Sequence, residues 1–395
     1  MINKCDICGG EITKEFSLKF RSIIGMADEY THDIGMCQTC QSIFTINPFS
    51  PEKLANRYKN NSKFEFDDDS YFLSDDKDYK IRCERQKSFI NRVIGINNIN
   101  SILEIGSASG YNLSLYNSDC KTYGIEPSEI NCKNAKKYYN VDMFRGMFTE
   151  YLGTQPKEKY DLIFLSHTLE HIVNPCTFIK QCSNLNSKYF FIEVPDINYK
   201  SMDEPYGIIC EEHVNIFTLE NLENLMYECG YKLINADLTL YYELYLPAGI
   251  PAISTIWEKV DNKENIKKHK FITSSKELLH NYLTMSENEL VKINDLINTI
   301  DNNEKLAIWG TGHHVSMLIV NTDLSKKNLV RVYDSDKKKH GIKFEGIEIQ
   351  AFNEDDIINK DIDTILVATY TAQIPIVKFL EKYKHKVKIV TLYDI

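Results

Sequence analysis

The stretch Ser101-Ile-Leu-Glu-Ile-Gly-Ser-Ala-Ser-Gly110 constrains this chain more than any other. Its aliphatics Ile102, Leu103 and Ile105 read as a short buried strand of a parallel sheet, ending at a glycine turn. Asn112-Leu-Ser-Leu-Tyr116 opens a helical pattern directly after it. Glycine at 106 and 110 permits backbone angles closed to other residues and lets amides approach a ligand. A second strand, Lys121-Thr-Tyr-Gly-Ile-Glu126, places a carboxylate 20 residues beyond Gly106. In a doubly wound sheet such an acid stands at a strand end, where it can accept hydrogen bonds from a ribose diol.

A glycine turn followed by an acid serves either NAD or S-adenosylmethionine. Here an acid, Glu104, precedes the first glycine, and no second glycine follows two residues on. That departs from the G-x-G-x-x-G spacing a pyrophosphate needs. The strand-helix alternation then continues. Val141-Asp-Met-Phe-Arg-Gly-Met-Phe148 supplies a loop, and Tyr160-Asp-Leu-Ile-Phe-Leu165 a buried strand that runs into Ser166-His-Thr-Leu-Glu-His171 and Asn174-Pro175. His167 and His171, four apart, can be read as a metal pair, although no third ligand has suitable spacing. Lys188-Tyr-Phe-Phe-Ile-Glu-Val-Pro195 is the next hydrophobic strand, and Leu219 to Cys229 a helix stopped by Gly230. Glu212 and His213 are adjacent on the loop before that helix. An imidazole beside a carboxylate makes a general base, and a structural histidine near a helix start is the equal alternative.

Composition limits the partners. A net charge of −10 over 395 residues excludes a general binder of polyanionic nucleic acid or membrane surface. No apolar run is long enough to span a bilayer, and Met1-Ile-Asn-Lys-Cys-Asp is no signal peptide. Eleven cysteines, most of them scattered singly, suit a reducing cytoplasm better than a disulfide framework. Four of them are paired: Cys5-Asp-Ile-Cys8 and Cys37-Gln-Thr-Cys40 form two C-x-x-C knuckles. Four such thiolates close a tetrahedral zinc site with no open position, so the expected zinc folds a small ribbon and does no chemistry. The acidic patch Glu65-Phe-Asp-Asp-Asp69 reads as solvated surface.

The last third begins with a charged helical connector from Asp261 to Asp301. Lys305-Leu-Ala-Ile-Trp-Gly-Thr-Gly312 then opens a second strand-turn-helix unit, continued by strands at Leu329-Val-Arg-Val-Tyr333, Thr364-Ile-Leu-Val-Ala-Thr369 and Val387-Lys-Ile-Val-Thr-Leu392. The third glycine of a dinucleotide fingerprint is missing, and His313 and His314 follow the turn instead.

Glu104 to Gly110 resembles motif I of the class I S-adenosylmethionine-dependent methyltransferases, Gly124-Ile-Glu-Pro-Ser128 their motif II, and Asp161 to Pro175 their motif IV. The whole order, zinc knuckles, core, connector and tail, resembles the sugar C-methyltransferases of deoxysugar biosynthesis, which methylate a keto sugar carried on a nucleoside diphosphate. In the tail, Asp334 to Asp336, Lys339-His-Gly341 and Gly346 carry the likeness. The expected fold class is α/β and multidomain: a zinc module over 1–65, a Rossmann-like methyltransferase core over 66–255, a connector over 256–302 and a Rossmann-like substrate domain over 303–395. The resemblance implies cofactor contacts at Glu104, Gly106, Ser107, Gly110, Glu126, Pro127, Met147, Phe148 and His167. It implies His213 as the base that forms an enolate, Glu212 orienting it, and His171 and Tyr71 beside the enolate oxygen or the sugar. A monomer or homodimer is expected. Cys210-Glu-Glu-His213 stands where the family has Tyr-His-Glu-His, and Leu238 to Tyr245 replaces its Gly-Gly-Ser segment. Those departures keep O- or N-methylation open beside C-methylation; a non-catalytic binding protein and an NAD-dependent oxidoreductase using the tail are the other readings.

Overall fold

The computed structural model describes residues 2–21, 29–60, 77–197, 204–238, 252–261, 274–370 and 372–393. By backbone contacts the chain divides into two compact units, one of residues 1–15, 34–198 and 211–277, the other of 16–33, 199–210 and 278–395. Neither is continuous in sequence.

The N-terminal strands are β1 (Ile12–Arg21), β2 (Glu29–Cys37) and β3 (Ile43–Thr45). The first unit is built on a seven-stranded sheet formed by β4 (Ser101–Ile105), β5 (Lys121–Glu126), β6 (Met143–Arg145), β7 (Leu162–Ser166), β8 (Tyr189–Pro195), β10 (Tyr231–Asp237) and β11 (Ala252–Lys259). A two-residue strand, β9 (Asn215–Ile216), pairs instead with β3. The strand order is β10-β11-β8-β7-β4-β5-β6. β4 through β8 pair in parallel, whereas β11 pairs antiparallel with both β8 and β10.

From β4 the chain moves outward through β5 and β6, then returns to place β7 on the other side of β4. That reversal opens a crevice at the carboxyl ends of β4 and β7, where ligands bind in such sheets. The central strands are apolar because both faces are covered: all seven residues of β8 are buried. Phe164 and Phe191 stack at 4.4 Å in this core, an arrangement worth about 1 kcal/mol beyond the area it buries. Helices Glu129–Tyr139 and Leu219–Glu228 start at Ser128 and Thr218, whose side chains accept the amides of Asn131 and Asn221.

The second unit carries a six-stranded sheet of β12 (Leu306–Trp309), β13 (Leu329–Tyr333), β14 (Lys343–Phe344), β15 (Ile347–Gln350), β16 (Thr364–Val367) and β17 (Lys388–Thr391), in the order β14-β15-β13-β12-β16-β17. The helix Ser275–Asn298 presents Leu279, Tyr282, Leu290, Ile293 and Ile297 as buried residues at helical spacing. No helix among the described residues is long and apolar enough to cross a membrane.

Candidate active site

The turn after β4 is held open by backbone geometry. Gly106 has φ of +81°, and a Cβ there would stand 2.7 Å from Thr168 Oγ1. Gly110 has φ of +76° and starts the short helix Tyr111–Ser114. Ser107 is buried and donates its hydroxyl to the carbonyl of Glu104 at 2.9 Å. Glu126, at the end of β5, is buried; its Oε2 accepts the amide of Ala108 at 2.9 Å and its Oε1 that of Ser128 at 2.9 Å. Pro127 follows it into the next helix. Glu104 is 4% exposed, accepts Asn112 Nδ2 at 2.7 Å through Oε1, and leaves Oε2 without a hydrogen-bond partner. Burial pushes its carboxyl up to about 8, against the pull of Asn112 and Arg82.

Beyond β6, Met147 precedes the helix Phe148–Gly153, and its amide donates to Glu150 Oε2 at 2.7 Å. The Phe148 ring is packed in the core against Phe178, at 5.0 Å between centroids, so its bulk serves the interior of the unit.

His167 ends β7 in a left-handed conformation, φ +48°. Its imidazole stands between two buried carboxylates, with Nδ1 3.4 Å from Glu170 Oε1 and Nε2 3.5 Å from Glu193 Oε1. Glu193 also receives Gln86 Nε2 at 2.6 Å and Ser254 Oγ at 2.7 Å. Beside them, the 169–172 turn is stitched to the 212–216 loop: Val214 N donates to Glu170 O at 2.7 Å, and Asn215 Nδ2 to Ile172 O at 2.7 Å. This brings the His171 and His213 rings to 5.1 Å, edge to face. Thr45 Oγ1 donates to the carbonyl of His213 at 2.9 Å, and Tyr58 meets the His171 ring at 5.9 Å.

The contacts of Glu212 extend beyond the histidines. The carboxylate of Glu212, assigned by the sequence to orient His213, accepts Arg57 Nε at 2.7 Å, while Arg57 Nη1 donates to Glu211 at 2.7 Å. Glu212 reaches the histidine pair through its main chain, its carbonyl accepting from His171 Nδ1 at 2.9 Å. The carboxylate set among the imidazoles is Glu170, 1% exposed, with Oε1 3.8 Å from His171 Nε2. Burial alone would raise Glu170, but the bond from His167 and the charges of His171, His167 and His213 hold it down to about 2. Burial lowers His171 in turn, so the ionised carboxylate depends on positive charge supplied beside it. Glu170 stands inside the H-x-L-E-H signature and was legible there; Arg57 and Gln86 carried no signal. Tyr71 and residues 239–251 lie outside the described residues.

The four knuckle sulfurs converge within 4.8 Å of one another, with Cys5 Sγ 3.6 Å from Cys40 Sγ and Cys8 Sγ 3.4 Å from Cys37 Sγ. Tetrahedral zinc at ~2.3 Å from each thiolate separates sulfurs by roughly 3.8 Å, so the set fits that ion. The amide of Thr39 points at Cys37 Sγ from 3.4 Å, and a Cβ on Gly10 would come 2.8 Å from the same sulfur. The hydrogen bond from Cys5 lowers Cys40 to about 5, so a thiolate is already favoured in this group.

A family model described as "Methyltransferase domain" matches residues 76–236, which contain the β4 turn, Glu126 and the histidine cluster up to His213. No curated protein matches the chain. Solved structures resemble parts of it. An S-adenosylmethionine-dependent methyltransferase from Archaeoglobus fulgidus is 19% identical over 48% of this chain and 100% of its own, with a TM-score of 0.34. The magnesium protoporphyrin IX methyltransferase of Synechocystis is 12% identical over 53% and 100%, with a TM-score of 0.39. The N-terminal domain of EvdMO1 is 13% identical over 54% and 98%, with a TM-score of 0.33. Identities and TM-scores this low carry nothing about substrate. The family match falls on the segment that holds the glycine turn, the strand-end acid and the crevice at the switch point. Residues 76–236 match a methyltransferase domain, and the chain is a methyltransferase enzyme.

Proposed function

We propose that this methyltransferase acts on a nucleotide-linked sugar, and that it C-methylates a keto-deoxysugar through an enolate. The observation that carries the reading is the imidazole pair His171 and His213, 5.1 Å apart beside buried Glu170. In the cofactor crevice the spare oxygen of Glu104 suits the ammonium of the methionine moiety, and Glu126 suits the ribose diol. His213 takes the proton from the carbon next to the ketone. The electron pair moves onto the carbonyl oxygen, and the enolate carbon then attacks the sulfonium methyl, breaking the sulfur-methyl bond. Glu170, in place of Glu212, balances the charge this leaves on the imidazoles. Structural zinc in the Cys5-Cys8-Cys37-Cys40 group and a cytoplasmic location belong to the same reading.

A second reading is O- or N-methylation of a related nucleotide-linked acceptor. The pairing of Glu211 with Arg57 favours it, because Glu211 stands where the resemblance to the sugar C-methyltransferases expects a histidine. Mass-resolved transfer assays against nucleotide-linked keto and hydroxy sugars distinguish the two by the atom that carries the methyl. His213→Ala is expected to lower turnover by about 100-fold or more while S-adenosylmethionine still binds. Unchanged turnover on a keto sugar would sink the enolate scheme.

A further inference from the structure

We infer that Glu170, His171 and His213 form a binding site for a divalent transition-metal ion, separate from the four-cysteine group. One ligand atom from each of the three lies within 4.8 Å of the other two. The main-chain carbonyl of Glu212 can only accept, so His171 Nδ1, 2.9 Å away, carries the hydrogen. In the neutral ring the lone pair is then on Nε2, the nitrogen that faces Glu170 Oε1 at 3.8 Å. Two lone-pair atoms turned toward each other in a buried place are reconciled by a cation between them, whether a proton or a metal ion. Glu170 is 1% exposed; its Oε1 has His167 Nδ1 beside it at 3.4 Å, and its Oε2 accepts no hydrogen bond. An unsatisfied buried carboxylate is expensive, and a coordinated ion removes that cost.

The dimensions agree with this. Ligands bound at ~2.1 Å in tetrahedral geometry stand roughly 3.4 Å apart, so the 3.8 Å separation closes by a few tenths of an ångström. The carbonyl of Glu212 is the outer partner that metal-bound histidines commonly have, fixing the tautomer and the ring direction. Two imidazoles and one carboxylate suit zinc, manganese, iron or cobalt, and leave positions open for an oxygen of the acceptor. This inference rests on the cluster being the acceptor-activating site and changes how it works there. A bound ion would supply Lewis acidity to an enolate or alkoxide oxygen, and with His213 engaged as its ligand the acceptor's proton would pass to solvent water instead of to His213.

Metal content of the full chain, with manganese(II) titration followed by electron paramagnetic resonance and repeated with cobalt(II) and zinc(II), tests it. One ion beyond the cysteine-bound one is expected, and Glu170→Gln and His213→Ala should each weaken its binding by at least tenfold. S-adenosylmethionine binding, measured in the same variants by calorimetry, reports that the domain is folded. Absence of a second ion with all three metals, or a second ion indifferent to both variants, overturns the metal site. Loss of cofactor binding by the unaltered chain would instead overturn the methyltransferase reading.

Discussion

The two glycine turns of this chain share a plan and differ in what surrounds it. After β4, Gly106 N donates to the carbonyl of Ile125 at 2.9 Å, and Glu126 accepts the amide of Ala108 at 2.9 Å. After β12, Gly310 N donates to the carbonyl of Tyr333 at 2.9 Å, and Asp334 accepts the amide of Thr311 at 2.9 Å. The strand-end acids diverge from there. Asp334 is also bound by Lys339 Nζ at 2.8 Å, by the Thr311 hydroxyl and by the amide of Asp336 at 2.9 Å. A ribose diol would have to displace a charge-assisted pair to reach it. Glu126 takes main-chain amides and, at 3.5 Å, Asn131. The position two before the glycine diverges as well: a buried carboxylate, Glu104, in one turn and buried Ile308 in the other. The two turns share a backbone plan, and a buried acid with one unpaired oxygen, Glu104 Oε2, distinguishes the first.

The largest effect expected from this contrast is at Gly106. Gly106→Val puts a branched side chain on a positive φ and into Thr168, and S-adenosylmethionine affinity should fall about 100-fold, ~2.7 kcal/mol, by calorimetry. Gly310→Ala, at φ +105° and 3.1 Å from Thr369, should cost about 1–3 kcal/mol of stability and leave that affinity unchanged. Equal losses of affinity would erase the distinction between the turns.

Next comes Asp334→Asn, which breaks the Lys339 pair. We expect a loss of about 2 kcal/mol in denaturant unfolding, with cofactor affinity intact. Burial pushes Asp334 up, but Lys339 and its hydrogen bonds hold it below the ordinary carboxylate range. Its stabilising contribution is therefore complete above pH 4 and is lost as pH falls through the folded-state value, a dependence the variant should lack.

Glu104 gives the smallest effect, of opposite sign. Its carboxyl is raised from 4.5 to about 8, so the folded protein binds the proton more tightly than the unfolded chain does. Stability without cofactor should fall as pH rises across that interval. Glu104→Gln should raise the melting temperature at pH 8 and change little at pH 4. Its affinity for S-adenosylmethionine should drop about tenfold, because a neutral amide does not attract the ammonium. A variant that melts below the parent at pH 8 would contradict the burial argument.

The parallel strands were legible because each is a short aliphatic or aromatic run ending in glycine, an acid or proline. β4, β5, β7 and β8 lie where those runs predict them. The four-cysteine group was legible from spacing alone, since thiol pairs have few other reasons to recur at that interval. The partner of Glu212 was not legible: Arg57 stands in a helix of ordinary composition, 155 positions away in sequence. Periodicity encodes which face of an element is buried and says nothing about which distant charge arrives beside it.

By itself the sequence determined the α/β alternation, the glycine turn with its strand-end acid, and the histidines gathered around motif IV. Those features are local, because backbone freedom and burial are decided within a few residues. Only the tertiary structure decided that Glu170 stands beside the imidazoles and that Arg57 reaches Glu212. It also decided that Phe148 belongs to the core, and that residues 16–33 and 199–210 count with the C-terminal unit. These outcomes follow from pairing and packing between segments far apart in the chain, where the geometry of the sheet and the desolvation of each charge choose the partner.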